Sequence, residues 1–243
     1  MIQRLFWAAI VAGSVAGAAV SVFHLRAAEP LILEAERYEQ AAHHADAGGS
    51  AAPSPSSLEG AVAGHSHDDA DEWHPDNGFE RMAYTVVADV ATGIGFSMLL
   101  FACFVFSHRQ IDASKGLLWG AAGFAAFSLA PALGLPPELP GSAAADLFDR
   151  QVWWLGTAAA TAGGLALIAF APRVVLKLLG LLVLGIPHLI GAPEPGTQHS
   201  VVPAELAVKF VVVSLLSGAV LWLLLGGVGG WIYQRWNLKD QMI

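Results

Sequence analysis

The sequence predicts an all-α, polytopic membrane protein of about six transmembrane helices, arranged as three helical hairpins with a disordered His/Asp-rich outer loop. Three observations predict it. Apolar stretches recur at roughly 5–23, 84–106, 116–134, 152–171, 174–187 and 206–232, and most are long enough to cross a hydrocarbon core. The mean hydropathy is +0.56 with only 13 % charged residues, which excludes an ordinary soluble domain. Charge is also sorted between alternate gaps. One set of ends and loops holds Arg4, Arg109, Lys115, Arg173, Lys177, Arg235 and Lys239, with Asp112 and Asp240 as its only acids. The other set holds the remaining acids and every histidine except His108.

The basic set takes the cytoplasmic side by the positive-inside rule. The N-terminus, loop 107–115, turn 172–177 and the C-terminus therefore face the cytoplasm, and loops 24–82, 135–151 and 188–205 face outside. Six crossings put both termini on the cytoplasmic side. Trp7, Trp119, Trp231 and Trp236 fall near the inner interface and Trp153 and Trp154 near the outer one, as aromatic belts do.

Span one shares a lone Arg4 and an apolar core with signal peptides. Its apolar run continues to Leu25, however, and Ala9, Gly13 and Gly17 make a small-residue face suited to packing in lipid. Next, Pro30 to Glu39 reads as an outer-surface helix or an extension of span one, with Pro30 in its first turn. Residues 41–78 are rich in Ser, Gly, Pro, Asp and His, with little to bury, and are predicted to be disordered. The chain thus divides into 1–40 (first span and acidic outer helix), 41–80 (flexible loop) and 81–243 (a five-helix membrane core). Gly93 and Gly95, Gly116 and Gly120, and Gly226 and Gly230 imply close helix contacts within a compact bundle or with another subunit, a homo-oligomer included. Span five is short and follows a tight turn at Pro172-Arg173. Spans three and five both end in Pro-rich segments closing on Gly, 131–141 and 187–196. These endings read either as tandem hairpin repeats or as what any outward helix end collects.

Imidazoles and carboxylates are the donors available for chemistry. His43, His44, His65, His67 and His74 share one loop with Asp68 and Asp69, which reads as auxiliary metal capture or as a solvated acidic linker. Closer to the membrane stand Glu34, Glu36 and Glu39 on the outer helix, His188 after Pro187, and Glu205 in the first turn of span six. Glu205 either favours its helix N-terminus or places a carboxylate at a pore mouth. Asp89 lies about two turns inside span two, where a charge is costly unless it faces water, an ion or a partner, so it reads as functionally placed, or else as snorkelling to the interface or pairing with Arg81 or Arg150. The metal candidates are therefore Glu34, Glu36, Glu39, Asp89, His188 and Glu205. His/carboxylate donors suit cobalt, nickel or zinc, and no resident cofactor is expected. Cys103 stands alone, which excludes a thiolate cage and an internal disulfide. No nucleotide-binding or hydrolase motif occurs, so no enzyme activity is expected. The net charge of −8, without a basic patch, argues against nucleic acid as a partner.

At PLILEAERYE, GLLWGAAGFAAFSLAPALGLPPELPG, RQVWWLGTA, PHLIGAP and PAELAVKF the chain resembles the CbtA family, predicted cobalt transporter subunits of bacteria. The resemblance covers almost the whole length and includes Glu34, Glu36, Tyr38, Glu39, Pro187, His188 and Glu205. It implies a multi-pass protein of the bacterial cytoplasmic (inner) membrane, cobalt as the transported ion, and a small His-bearing, CbtB-like membrane partner. The loop at 43–78 is more extended than the family core, and Asp89 stands where a neutral amide is expected. Two functions follow. One is a membrane subunit for divalent-metal uptake that collects ions at an acidic outer face. The other is a non-conducting metal-binding accessory or sensor serving another transporter.

Overall fold

The computed structural model describes residues 2–48, 75, 78–196 and 200–240, and among them it contains helices and no strand. Helix α1 (Ile2–Phe23) runs through a π-helical turn, His24–Ala28, directly into α2 (Glu29–Gly48). Helix α3 is Phe79–Phe106. Helix α4 (Ala113–Phe124) passes through a second π turn, Ala125–Leu129, into the short α5 (Ala130–Ala132). Helices α6 (Leu147–Phe170), α7 (Val174–Ile190) and α8 (Ala204–Asp240) complete six continuous rods. Among the described residues, four helices are long and apolar enough to cross a membrane: Gln3–His44, Phe79–Phe106, Leu147–Phe170 and Ala204–Trp236. The α4–α5 rod, continuous from Ala113 to Ala132 through its π turn, is less apolar than these four, and α7, with 17 residues, is shorter.

Local chemistry sets the boundaries. Asp112 caps α4 by accepting the Lys115 N–H at 2.8 Å, and Asp146 caps α6 by accepting from Phe148 at 2.9 Å. The Lys115 N–H bond holds the exposed Asp112 carboxyl below its usual range. Gly191, at φ 89°, ends α7 in a conformation that side chains avoid. Helix α2 extends further than expected. Residues 41–48 are helical rather than disordered, because alanines at 41, 42, 45 and 47 favour helix over coil. The rest of the predicted flexible loop lies outside the described residues.

Packing pairs the rods as α1 with α3, α4 with α8, and α6 with α7. Only the first pair matches the predicted hairpins. Span three packs mainly on span six and span four on span five, while α7 makes no close approach to α8 among the described residues. The reason lies in the glycines. An added Cβ at Gly226 would stand 2.9 Å from the Gly120 Cα, and one at Gly230 would stand 2.9 Å from the Gly116 Cα, so these two faces fit backbone to backbone. A Cβ at Gly13 would meet the Ile94 Cα at 2.5 Å, and one at Gly17 the Asp89 carbonyl oxygen at 2.5 Å. The predicted small-residue face of span one is therefore the α3 contact. Gly95 differs, since nothing lies near it.

Between these two pairs sits the main core, built from Ala8, Ala12 and Ala16 of α1, Phe101 and Phe104 of α3, and Trp222, Leu225 and Tyr233 of α8. A smaller core closes one end of the bundle. There Ala35 of α2 packs on Leu139, Val202 and Leu206, and the Val201 N–H donates to the Gly141 carbonyl at 3.1 Å. Apolar side chains face outward along the rods, such as Val87, Leu155 and Leu182, as a lipid environment permits.

Candidate ion site

Three rods meet at a polar contact inside the bundle. His24 projects from the π turn, whose i→i+5 bonding is seen in the Glu29 N–H donating to the His24 carbonyl. Its Nδ1 lies 3.0 Å from both carboxylate oxygens of Asp89 on α3. Its Nε2 lies 3.0 Å from Ser217 Oγ on α8. The Ser217 hydroxyl donates to the Ser214 carbonyl at 2.9 Å, which leaves its oxygen to accept from the His24 Nε2–H. The side chains of His24 and Asp89 are 31 % and 14 % exposed. This placement answers the cost of an intramembrane carboxylate: Asp89 has a charge-capable partner on the neighbouring rod. The partner is His24, not the Arg81 or Arg150 suggested by sequence.

Aromatic rings pack further along the same rods. Phe96 of α3, Phe127 of the second π turn and Trp222 of α8 pack with centroids 4.8–5.4 Å apart, Phe127 stacked on Trp222 and Phe96 tilted against both. Phe96 is about two turns along α3 from Asp89. A cavity of about 590 Å³ is lined by Phe127, Ser128, Gln151, Trp154 and Ser214, with Glu138 and Arg150 paired at 2.8 Å in its wall. Ser214 is one turn from Ser217, so α8 carries polar groups toward both the cavity and His24.

The end of the bundle capped by α2 holds the other predicted residues that are described, of which Glu36 and Glu205 stand in ion pairs. Glu36 accepts two bonds from Arg81, at 2.6 and 3.2 Å, which clamps α2 onto the start of α3. Glu205 pairs with Lys209 at 2.7 Å along α8 and is largely exposed. Glu34 is exposed beside Arg37, Tyr38 and Ala41, and Glu39 sits half-buried against Gly141. His188 is exposed, with its ring edge-on to Trp153 at 6.1 Å. His43 and His44 are exposed on the last turns of α2. His65, His67, Asp68, Asp69 and His74 lie outside the described residues. Among the described residues no three His, Cys, Asp or Glu side chains converge as a metal-holding group.

Sequence reasoning missed His24. It closes an apolar run and looks like the polar end of a span. A signal did exist: the apolar run continues to Leu25, and one of the two readings of Pro30–Glu39 extends span one, which would make His24 an intrahelical imidazole.

A family model described as "Probable cobalt transporter subunit (CbtA)" matches residues 2–234. No curated protein and no solved structure matches the chain. With nearly its whole length covered by that model, and with several helices apolar enough to span a membrane, the chain belongs to the CbtA family of transporter subunits.

Proposed function

We propose that this chain is the membrane-embedded subunit of a cobalt-uptake system, taking divalent ions from the side of the bilayer that carries α2. The reading rests on one observation above others. A carboxylate, Asp89, is held where three apolar rods meet, against the His24 imidazole that Ser217 orients. Such a group in a membrane interior marks an ion or proton path more often than a structural contact. Basic residues at the opposite end orient that end, with both termini, toward the cytoplasm of a bacterial inner membrane. All six rods cross, the two shorter ones shielded by their neighbours and by partner subunits.

In this scheme His43 and His44, with the histidines and aspartates of 65–74, raise the local ion concentration at the outer face. Glu34, Glu39, His188 and Glu205 form a diffuse second layer, and Glu36 joins it when Arg81 releases it. Imidazole and carboxylate bind cobalt, and also nickel or zinc, so selectivity among these ions comes from the assembled system with its small His-bearing, CbtB-like partner.

The test is metal accumulation in cells that depend on this system. Asp89→Asn, close in shape but neutral, is expected to lower cobalt uptake at least about tenfold, and joint replacement of Glu34, Glu39 and His188 by Ala about threefold at low external cobalt. Unchanged uptake in Asp89→Asn removes the proposed path. Uptake that persists at high cobalt with the whole chain deleted makes the protein a non-conducting capture accessory.

A further inference from the structure

We infer that His24 and Asp89 form a transit site for a divalent cation within the membrane interior, with Nδ1 of His24 and the Asp89 carboxylate as ligands and Ser217 holding the imidazole in place. This rests on the transport reading above and adds a specific ligand pair that the sequence did not reveal.

The geometry fits coordination in three respects. First, ligand atoms about 2.0–2.2 Å from a first-row divalent ion, and at right angles around it, stand about 3.0 Å apart. Nδ1 lies 3.0 Å from each Asp89 oxygen, so an ion can be received between nitrogen and carboxylate without separating the helices. Second, a metal-binding imidazole commonly donates its other ring N–H to a fixed acceptor, which sets tautomer and orientation. Ser217 Oγ is that acceptor at 3.0 Å, and its own hydroxyl is committed to the Ser214 carbonyl. Third, the backbones beneath the ligands cannot drift. Gly17 of α1 lies directly on the Asp89 carbonyl, and a π turn, a helical irregularity frequent at functional sites, sets the His24 register.

The site is deliberately short of donors. Two protein side chains leave most coordination positions to water, and the described residues supply no third His, Cys, Asp or Glu. A structural metal centre would be closed by four protein ligands. A conducting site must bind strongly enough to draw the ion from water and weakly enough to release it. An incomplete pair suits transit and not storage. Along the rods that meet here, the next titratable side chains are Arg26 and Glu29 after His24, Tyr84 and Cys103 on either side of Asp89, and Lys209 and Tyr233 on either side of Ser217.

The experiment measures Co²⁺ binding to the purified full-length chain in lipid nanodiscs, using the metal salt alone as probe. Equilibrium dialysis gives the number of ions bound, and pulsed EPR reads nitrogen coordination. His24→Asn and Asp89→Asn are each expected to lose the same one ion, with binding at that site about 10–100-fold weaker. The double variant should lose no more than either single one. His108→Asn, which removes an imidazole from the turn after α3, should keep the full complement. Ser217→Ala should retain the ion at reduced affinity. If His24→Asn does not fold, Asp89→Asn carries the same expectation alone. A full complement of bound ions with unchanged nitrogen coupling in a folded His24→Asn or Asp89→Asn protein overturns the site. Binding that depends on His24 in a protein that moves no cobalt would instead refute the transport reading and leave the site standing.

Discussion

The α4–α8 pair and the α6–α7 pair are both two apolar rods in contact, yet they are built on opposite principles. In the first, Gly116 and Gly120 face Gly226 and Gly230, and the two backbones touch with no side chain between them. In the second, Gly164 and Gly180 make one such contact, and side chains such as Leu184, Leu167 and Ile168 fill the rest. The first pair also shares the main core with α1 and α3, whereas α6–α7 reaches the remainder chiefly through the second π turn and α5. Without a hydrophobic force between helices in lipid, close approach and matched shape carry association. The comparison teaches that the rods next to His24 and Asp89 are fixed by backbone fit, while α6–α7 is attached through yielding side chains.

Substitutions can break or sharpen this contrast. Gly226→Val should have the largest effect. Its side chain would drive into the Gly116 and Gly120 backbones, neither of which can move aside, at a cost of about 3 kcal/mol or more. Thermal unfolding in detergent and membrane abundance should both fall sharply. Gly164→Ala should cost only about 1–2 kcal/mol, because the Leu184 side chain, 2.8 Å from the added carbon, can change rotamer although the Gly180 carbonyl at 2.7 Å cannot. If the two substitutions prove equally damaging, the distinction between the pairs is wrong. Gly185→Ala, on α7 with nothing near it, should leave stability unchanged or raise it by about 0.5 kcal/mol through helix propensity.

The smallest effect concerns pH at the turn that starts α4. Asp112 has a depressed carboxyl pKa, chiefly through the Lys115 N–H and secondarily through the Lys115 charge. A depressed carboxyl contributes stability above its unfolded pKa and loses it as pH falls through the lower, folded value. Acid titration of unfolding should therefore show a small loss in the acidic range below the usual aspartate pKa, and Asp112→Asn should remove that component.

How much of this was legible beforehand depends on the kind of interaction. Apolar runs located the rods because hydrocarbon length is a one-dimensional requirement. Asp89 stood out for a related reason, as a charge inside such a run. The pairing of rods was not legible from chain order, although its cue was present: small residues four apart at 116/120 and again at 226/230 are matching faces. His24 was hidden by the boundary drawn at Phe23, because hydropathy ends a span where helical bonding need not end. The ion pairs of Glu36 with Arg81 and Glu138 with Arg150 were equally invisible, since each joins residues whose proximity exists only after the helices pack. The outer carboxylates looked like a ready ligand set in sequence. The fold gives several of them cationic neighbours instead.

The unbroken run from α1 through the π turn into α2 makes a rod of 42 residues from Gln3 to His44. At 1.5 Å per residue it is about 63 Å long, roughly twice the hydrocarbon thickness. Its midpoint lies close to His24. The Glu36–Arg81 clamp and the His24 imidazole therefore stand on one unbroken backbone, twelve residues or about 18 Å apart, so the salt bridge and the polar contact share a single helical register.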